Sequence, residues 1–160
     1  MTTWADFSAA APDIATEGRR LLEARGHGEA LLATVRGDEP PRIHPISVAI
    51  VDGRLYAFII VGSPKHADLE RDGRYAMHTH QDPDAPNELM IRGHARLADD
   101  AAERSRVAED WTFEVDDGYT LFEFGIEHAI LGQRATADDW PPIYTSWPAR
   151  ARPAATTTGG

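Results

Sequence analysis

The dipeptide Asp52-Gly53, set between two β-rich runs in RIHPISVAIVDGRLYAFII, constrains this chain more than any other short stretch. A type I′ turn needs positive φ at both central residues, and Asp-Gly meets that need at low steric cost. Residues 42–51 and 54–60 are therefore expected to pair as an antiparallel hairpin. Along the first strand Ile43, Pro45, Ser47 and Ala49 share one face, and His44, Ile46, Val48 and Ile50 share the other. Both faces are largely apolar, so both are expected to be covered. Pro45 has no N–H to give to a ladder, which puts the strand at an edge or at a bulge near that position.

More strands follow in succession. The run ALLATVR (30–36) is a short apolar strand closed by the breaker cluster 37–41, and residues 75–79 and 88–97 read as two further strands separated by HQDPDAPN. Residues 119–131 alternate well enough for a long strand, with Gly125 as a bend in it. Helices are expected over 12–25, opened by Pro12 and stopped by Gly26, and over 100–111, opened by Asp100 and Glu103 as a capping box. Six or so strands that do not alternate with helices predict a mainly β chain, an antiparallel barrel with flanking helices. A small barrel fills its interior with its own side chains, so a ligand should bind outside it, in a groove or at a subunit interface.

At 160 residues the chain is expected to be one domain over 1–149 with an N-terminal helix, followed by a low-complexity, disordered tail, RARPAATTTGG, at 150–160. The formal net charge of −10 argues against a nucleic-acid partner. No apolar run approaches the roughly eighteen residues that a membrane span needs, and the first twenty residues have no secretory-signal character, so a cytoplasmic protein is expected. The absence of cysteine excludes disulfides, thiolate zinc and Cys-based redox chemistry; any electron chemistry needs a cofactor.

The stretch IIVGSPKHADLER carries the candidate site. Ser63 is placed to cap a helix, Pro64 to occupy its first position and Lys65 its first turn, in a helix ending about Arg71. A helix start with free N–H groups, a hydroxyl and an ammonium suits a phosphate. Taken alone, the tripeptide fits an ordinary Ser-Pro helix opening with a solvated lysine better. His78 and His80 share a strand face, but no further pair of ligands converges on them, and no metal is expected. No Gly-x-Ser-x-Gly elbow surrounds Ser47 or Ser63. The four tryptophans are more simply core or interface residues.

From about Glu29 to Leu97 the chain resembles the pyridoxamine 5′-phosphate oxidase-like, FMN-binding split-barrel family. The resemblance lies in LLATVRGDEPPRIHPISVAIVDGRLYAFIIVGSPKHADLERDGRYAMHTH followed by ELMIRGHARL: a first strand with a threonine, a proline-containing second strand, a hairpin, Ser-x-Lys and a further strand, in that order. It implies a six-stranded antiparallel split barrel and a homodimer with two cofactor sites at the subunit interface. Ser63 and Lys65 would then hold the FMN phosphate. Arg42, His44, Pro45, Ile46 and Ser47 would lie along the isoalloxazine, with Ile60 and Val61 flanking it. His78 and Thr79 would approach the ribityl chain or ring, and Trp147, with Trp140 and Arg150, would reach the partner's cofactor. Ser47 stands where the true oxidase carries a basic residue, and the tail lacks the oxidase's basic substrate segment, so pyridoxine phosphate oxidation is not expected. F420 and haem are the alternative cofactors of relatives. The resemblance thus implies an oxidoreductase acting between a flavin and a small organic acceptor, with a non-enzymatic flavin- or haem-sequestering protein as the alternative. A monomeric barrel holding an apolar ligand inside is the competing reading from outside the family.

Overall fold

The computed structural model describes residues 1–84, 86–109 and 111–148; the tail expected at 150–160 lies outside them. Two helices, α1 (Trp4–Ala10) and α2 (Pro12–Leu22), precede strands β1 (Gly28–Thr34), β2 (Arg42–Val51) and β3 (Arg54–Ile60). Helix α3 (Pro64–Arg71), strands β4 (Arg74–His78) and β5 (Glu88–Leu97), helix α4 (Ala101–Ala108) and strands β6 (Tyr119–Gln133) and β7 (Ile143–Trp147) complete the described chain. The expected hairpin forms, with Asp52 at φ 48° and Gly53 at φ 72°, the double positive φ that a type I′ turn demands.

The strands pair in the order β3-β2-β1-β4-β5-β6, and β3 also pairs with β6, which closes a six-stranded antiparallel barrel. The long strand β6 makes closure possible. One of its edges follows β5 throughout, while the other takes β3 over residues 119–123 and β7 over 129–133. Strand β3 pairs with β2 only over 54–56 and with β6 over 56–60. Beyond residue 56 it therefore leaves β2, and the barrel is split between these two strands. The buried carboxylate of Glu123 on β6 accepts from Arg54 on β3 at 3.0 Å and pairs with Arg96 on β5, tying three strands together at the closure.

Inward-facing Leu32, Met77, Leu89, Ile91, Phe122 and Phe124 fill the barrel. Its ends are covered by helices. The N-terminal pair inserts Trp4, Phe7, Ile14 and Leu21, and Ala5 N–H donates to Gly53 O at 2.8 Å, fastening this plug to the hairpin turn. Helix α1 was not anticipated, although Thr3 and Asp6 form the same kind of capping box as that read at Asp100. Helix α3 brings Leu69 into the core. Helix α4 lies outside the barrel, where Val107 joins Tyr56, Phe58, Ala98 and Leu121 in a second cluster.

Boundaries differ from the sequence expectation where loops decide them. Helix α2 ends at Leu22 instead of 25, helix α4 at Ala108 instead of 111, and β1 spans Gly28–Thr34 instead of 30–36. Strand β7, a short segment added to the free edge of β6, was not expected at all. Near the bend anticipated at Gly125 lies a β-bulge: Arg92 pairs with His128 and Gly93 with Ile126, which leaves Glu127 as the extra residue on β6. A Cβ at Gly93 would stand 2.0 Å from Gly125 O and 3.1 Å from Glu127 N. Gly93→Ala is expected to lower unfolding stability by about 2–3 kcal/mol, because the obstacle is backbone and cannot swing aside; urea denaturation with an unchanged midpoint would contradict this.

Candidate functional site

The split gives β2 an unpaired edge over residues 42–48, facing away from β1. In a two-residue hairpin the residues beside the turn exchange both hydrogen bonds, so Val51 points its polar backbone at β3, and by alternation so do Ala49, Ser47, Pro45 and Ile43. Past residue 49 no strand receives them. Pro45 thus sits where its missing N–H costs nothing, as its chemistry predicted. The N–H of Ser47 is left aimed into the split. On the outer face of β2, Ile43 is 70% exposed and Pro45 is also exposed, which corrects the expectation that both faces are covered. Only the face carrying Ile46, Val48 and Ile50 meets the core.

A groove of about 160 Å³ lies over the split. Pro45, Ile46 and Ser47 form one side, Phe58 and Ile60 the other, and Lys65, Phe113 and Tyr119 complete it. Lys65 makes no hydrogen bond or ion pair among the described residues, an uncommitted cation in an acidic chain. It stands on the first turn of α3, where Pro64 occupies the first helical position. The Ser63 hydroxyl accepts from His66 N–H at 3.3 Å and donates to Ile60 O at 2.8 Å, which locks the helix start to the end of β3. Ile60 and Val61 are half exposed at the same end.

One turn further along α3 is a buried carboxylate that fastens the helix to the sheet. Asp68 is 1% exposed and accepts from Thr34 Oγ1 on β1 at 2.9 Å, from Arg36 Nε at 3.0 Å and from Arg42 Nη1 on β2 at 2.9 Å. Burial pushes this carboxyl up, but the Thr34 hydroxyl and the Arg42 and Arg36 guanidiniums outweigh it and hold Asp68 below its ordinary value. Arg42, expected beside a flavin, is thereby engaged by Asp68 and by Glu39 at 3.0 Å. His44 shares its face of β2 with Ile46 and Val48, and it does not line the groove. Its Nε2 is buried without a partner, and burial, followed by the charge of Lys65, pushes it below the ordinary histidine value.

Pro45, Ile46, Ser47, Ile60 and Lys65 are thus brought to one groove, with Ser63 and Val61 at its end. The others lie elsewhere on this chain. His78 pairs with Leu31 and Met90 and is separated from β2 by β1; its Nδ1 lies 2.6 Å from Thr79 O. Thr79 is buried, and its hydroxyl accepts from Leu89 N–H at 3.0 Å. Trp147 packs against Phe7 with ring centroids 5.2 Å apart, and Trp140 is exposed beneath the Arg134 guanidinium. Arg150 lies outside the described residues. Phe58, Phe113 and Tyr119 were missed, because residues 58 and 113 come together only through the segment after α4, where Trp111 packs against both rings. Asp68 was also missed: HADLER reads as a solvated helix face, and nothing local marks its aspartate as buried. Among the described residues no three His, Asp or Glu side chains gather as a metal site, and no helix is long and apolar enough to cross a membrane.

This barrel, with its split edge and helix start, is the fold of the pyridoxamine 5′-phosphate oxidase-like and general stress protein 26 proteins. A Clostridium acetobutylicum protein related to general stress protein 26, of the pyridoxinephosphate oxidase family, superposes with a TM-score of 0.64 at 16% identity, over 83% of this chain and 94% of that one. A Listeria innocua protein named for pyridoxamine 5′-phosphate oxidase gives 0.59 at 22% identity, over 71% and 94%. The haem storage protein HutZ from Vibrio cholerae gives 0.58 at 15% identity, over 71% and 90%. No protein-family model and no curated protein matches the chain by sequence.

The depressed carboxyl of Asp68 has a consequence for stability against pH. Its contribution is fully present above the unfolded value of about 3.9 and is lost as pH falls through the lower folded value. Melting temperature should therefore fall more steeply below about pH 4 in the native chain than in Asp68→Asn, which should itself cost about 3 kcal/mol at neutral pH by leaving two guanidiniums without their buried partner. Parallel acid profiles for the two proteins would refute the assignment.

Proposed function

We propose that this chain is a flavoprotein that binds FMN in the groove over the split and works as an oxidoreductase toward a small organic acceptor. The observation that carries the reading is Lys65, held without a counter-ion at the N-terminus of α3 beside an unpaired strand edge. The phosphate would be held by the Lys65 ammonium and the Lys65 backbone N–H, since Pro64 has none and the N–H groups of His66 and Ala67 are taken by Ser63. The outward N–H of Ser47 would donate to the polar edge of the ring, and Phe58 and Phe113 would exclude water from one side. Bound FMN supplies hydride or electron transfer; the chain supplies binding, orientation and exclusion of solvent. F420 also carries a phosphate and could use the same cation, so it belongs in the test.

A groove of about 160 Å³ is small against the roughly 300–1,000 Å³ of a ligand pocket, so one chain offers half a site. A second copy supports the remainder. The outer faces of β1, β2, β5 and β6 bring Leu31, Ala33, Ile43, Met90 and Ile130 outward, where they are exposed or half exposed. In a homodimer formed through this sheet, His78 of one chain would approach the ligand of the other. Haem is the second reading, favoured by HutZ and by a haem-binding protein from Mycobacterium smegmatis with a TM-score of 0.60 at 12% identity. The latter is matched over only 55% of its length.

Purified protein titrated separately with FMN, F420 and haem should retain flavin bands. Lys65→Ala should weaken FMN by roughly ten- to a hundredfold, the equivalent of a charge-assisted contact of about 1.5–3 kcal/mol. Undiminished FMN affinity in that variant would overturn the phosphate assignment, and a Soret band with no retained flavin would favour haem. Sedimentation of the FMN-loaded protein should give a dimer; a saturated monomer would rule out the shared site.

A further inference from the structure

The groove does not end at Ser47. On its far side a larger cavity of about 440 Å³ opens over the outer face of β2, sharing Ser47 with the first. Its floor carries Ala49 and Val51, one wall is Trp111 with Thr112, and the other is the turn between α2 and β1 at Glu23 and His27. The indole is fixed in place by an edge-on contact with Phe58, with centroids 4.9 Å apart and planes at 83°. This volume alone falls in the range of a small-molecule site.

The two compartments differ in charge. The first holds the uncommitted ammonium of Lys65, whereas Glu23 and His27, which line the second, each already have a partner. Glu23 accepts from Arg19 Nε at 3.0 Å, and His27 Nε2 lies 3.0 Å from a Glu29 carboxylate oxygen. Among the described residues no lysine or arginine lines it. In a chain of net charge −10, such a cavity has nothing with which to compensate a phosphate or carboxylate. An aliphatic floor and a fixed aromatic wall instead suit a flat, uncharged molecule.

The geometry points to a second binding compartment beyond Ser47 that takes a neutral, planar one- or two-ring compound against the indole of Trp111 and excludes phosphorylated or carboxylated ones. Its service as the acceptor site rests on the flavin reading; the binding itself does not. Menadione and naphthoquinone sulfonate present the same ring system without and with an anion. With no cysteine in the chain, neither forms a thiol adduct. In calorimetric titrations of the FMN-saturated protein, and of the protein alone, menadione should bind at least about tenfold more tightly than the sulfonate.

Trp111→Ala should weaken menadione by about tenfold, a larger change than in FMN affinity, which it reaches only through the packing on Phe58. Because that variant also loses packing on Phe58, Ala49→Lys provides the second arm. It adds a cation to the floor without touching the indole and should raise sulfonate affinity about tenfold. Equal binding of the two quinones, a Trp111→Ala protein that binds menadione as before, or displacement of menadione by lumiflavin would each overturn the proposal, the last by giving the compartment to the flavin ring itself. Lys65→Ala tests the flavin site separately, so failure of one reading is distinguishable from failure of the other.

Discussion

The divergence of β3 from β2 is the constraint on which the rest of this structure depends. A closed barrel must satisfy the polar edge of its last strand, and here β6 does so by taking β3 along residues 56–60. The strand that closes the barrel therefore leaves its own hairpin partner after three paired residues. The cost is a line of unpaired backbone on β2, and the proline in that line lowers it. Because the interior is filled by side chains, this outer split is the place where the fold offers a ligand free backbone groups beside an apolar surface.

Charge is distributed around the split by two buried carboxylates. Glu123 fastens the closure through Arg54 and Arg96, and Asp68 fastens α3 to β1 and β2 through Thr34, Arg36 and Arg42. Both consume arginines that would otherwise compete for an anion. Lys65, three residues before Asp68 and on the first turn of the same helix, is left uncommitted. A single ammonium, a helix start and an open strand edge meet at one end of the groove, while an aromatic wall and neutralised charges meet at the other. Such a division suits an anionic cofactor group at the first end and a separate flat, uncharged molecule at the second.

Much of this was legible in the chain. The hairpin followed from Asp52-Gly53, the capped helix from Ser63-Pro64-Lys65 and the edge character of β2 from Pro45, because each rests on the conformational limits of one or two residues. The resemblance over residues 29–97 placed these parts in a barrel before any pairing was known. Positions whose role depends on a distant partner were not legible. The pairing of Arg42 with the buried Asp68, twenty-six residues on, and the burial of His44 Nε2 are of this kind.

The sequence by itself determined the local events: where the chain turns, where helices can begin, which residues share a strand face, and that no cysteine chemistry is available. Only the tertiary structure decided that β3 abandons β2 for β6, that Phe58, Trp111 and Phe113 come together along one groove, and that Asp68 is buried among two guanidiniums and a hydroxyl. The physical reason is range. Turn and cap preferences are set by φ, ψ and hydrogen bonds within a few residues, whereas closure of a sheet and neutralisation of a buried charge require groups tens of residues apart, and no short stretch of sequence records which of them meet.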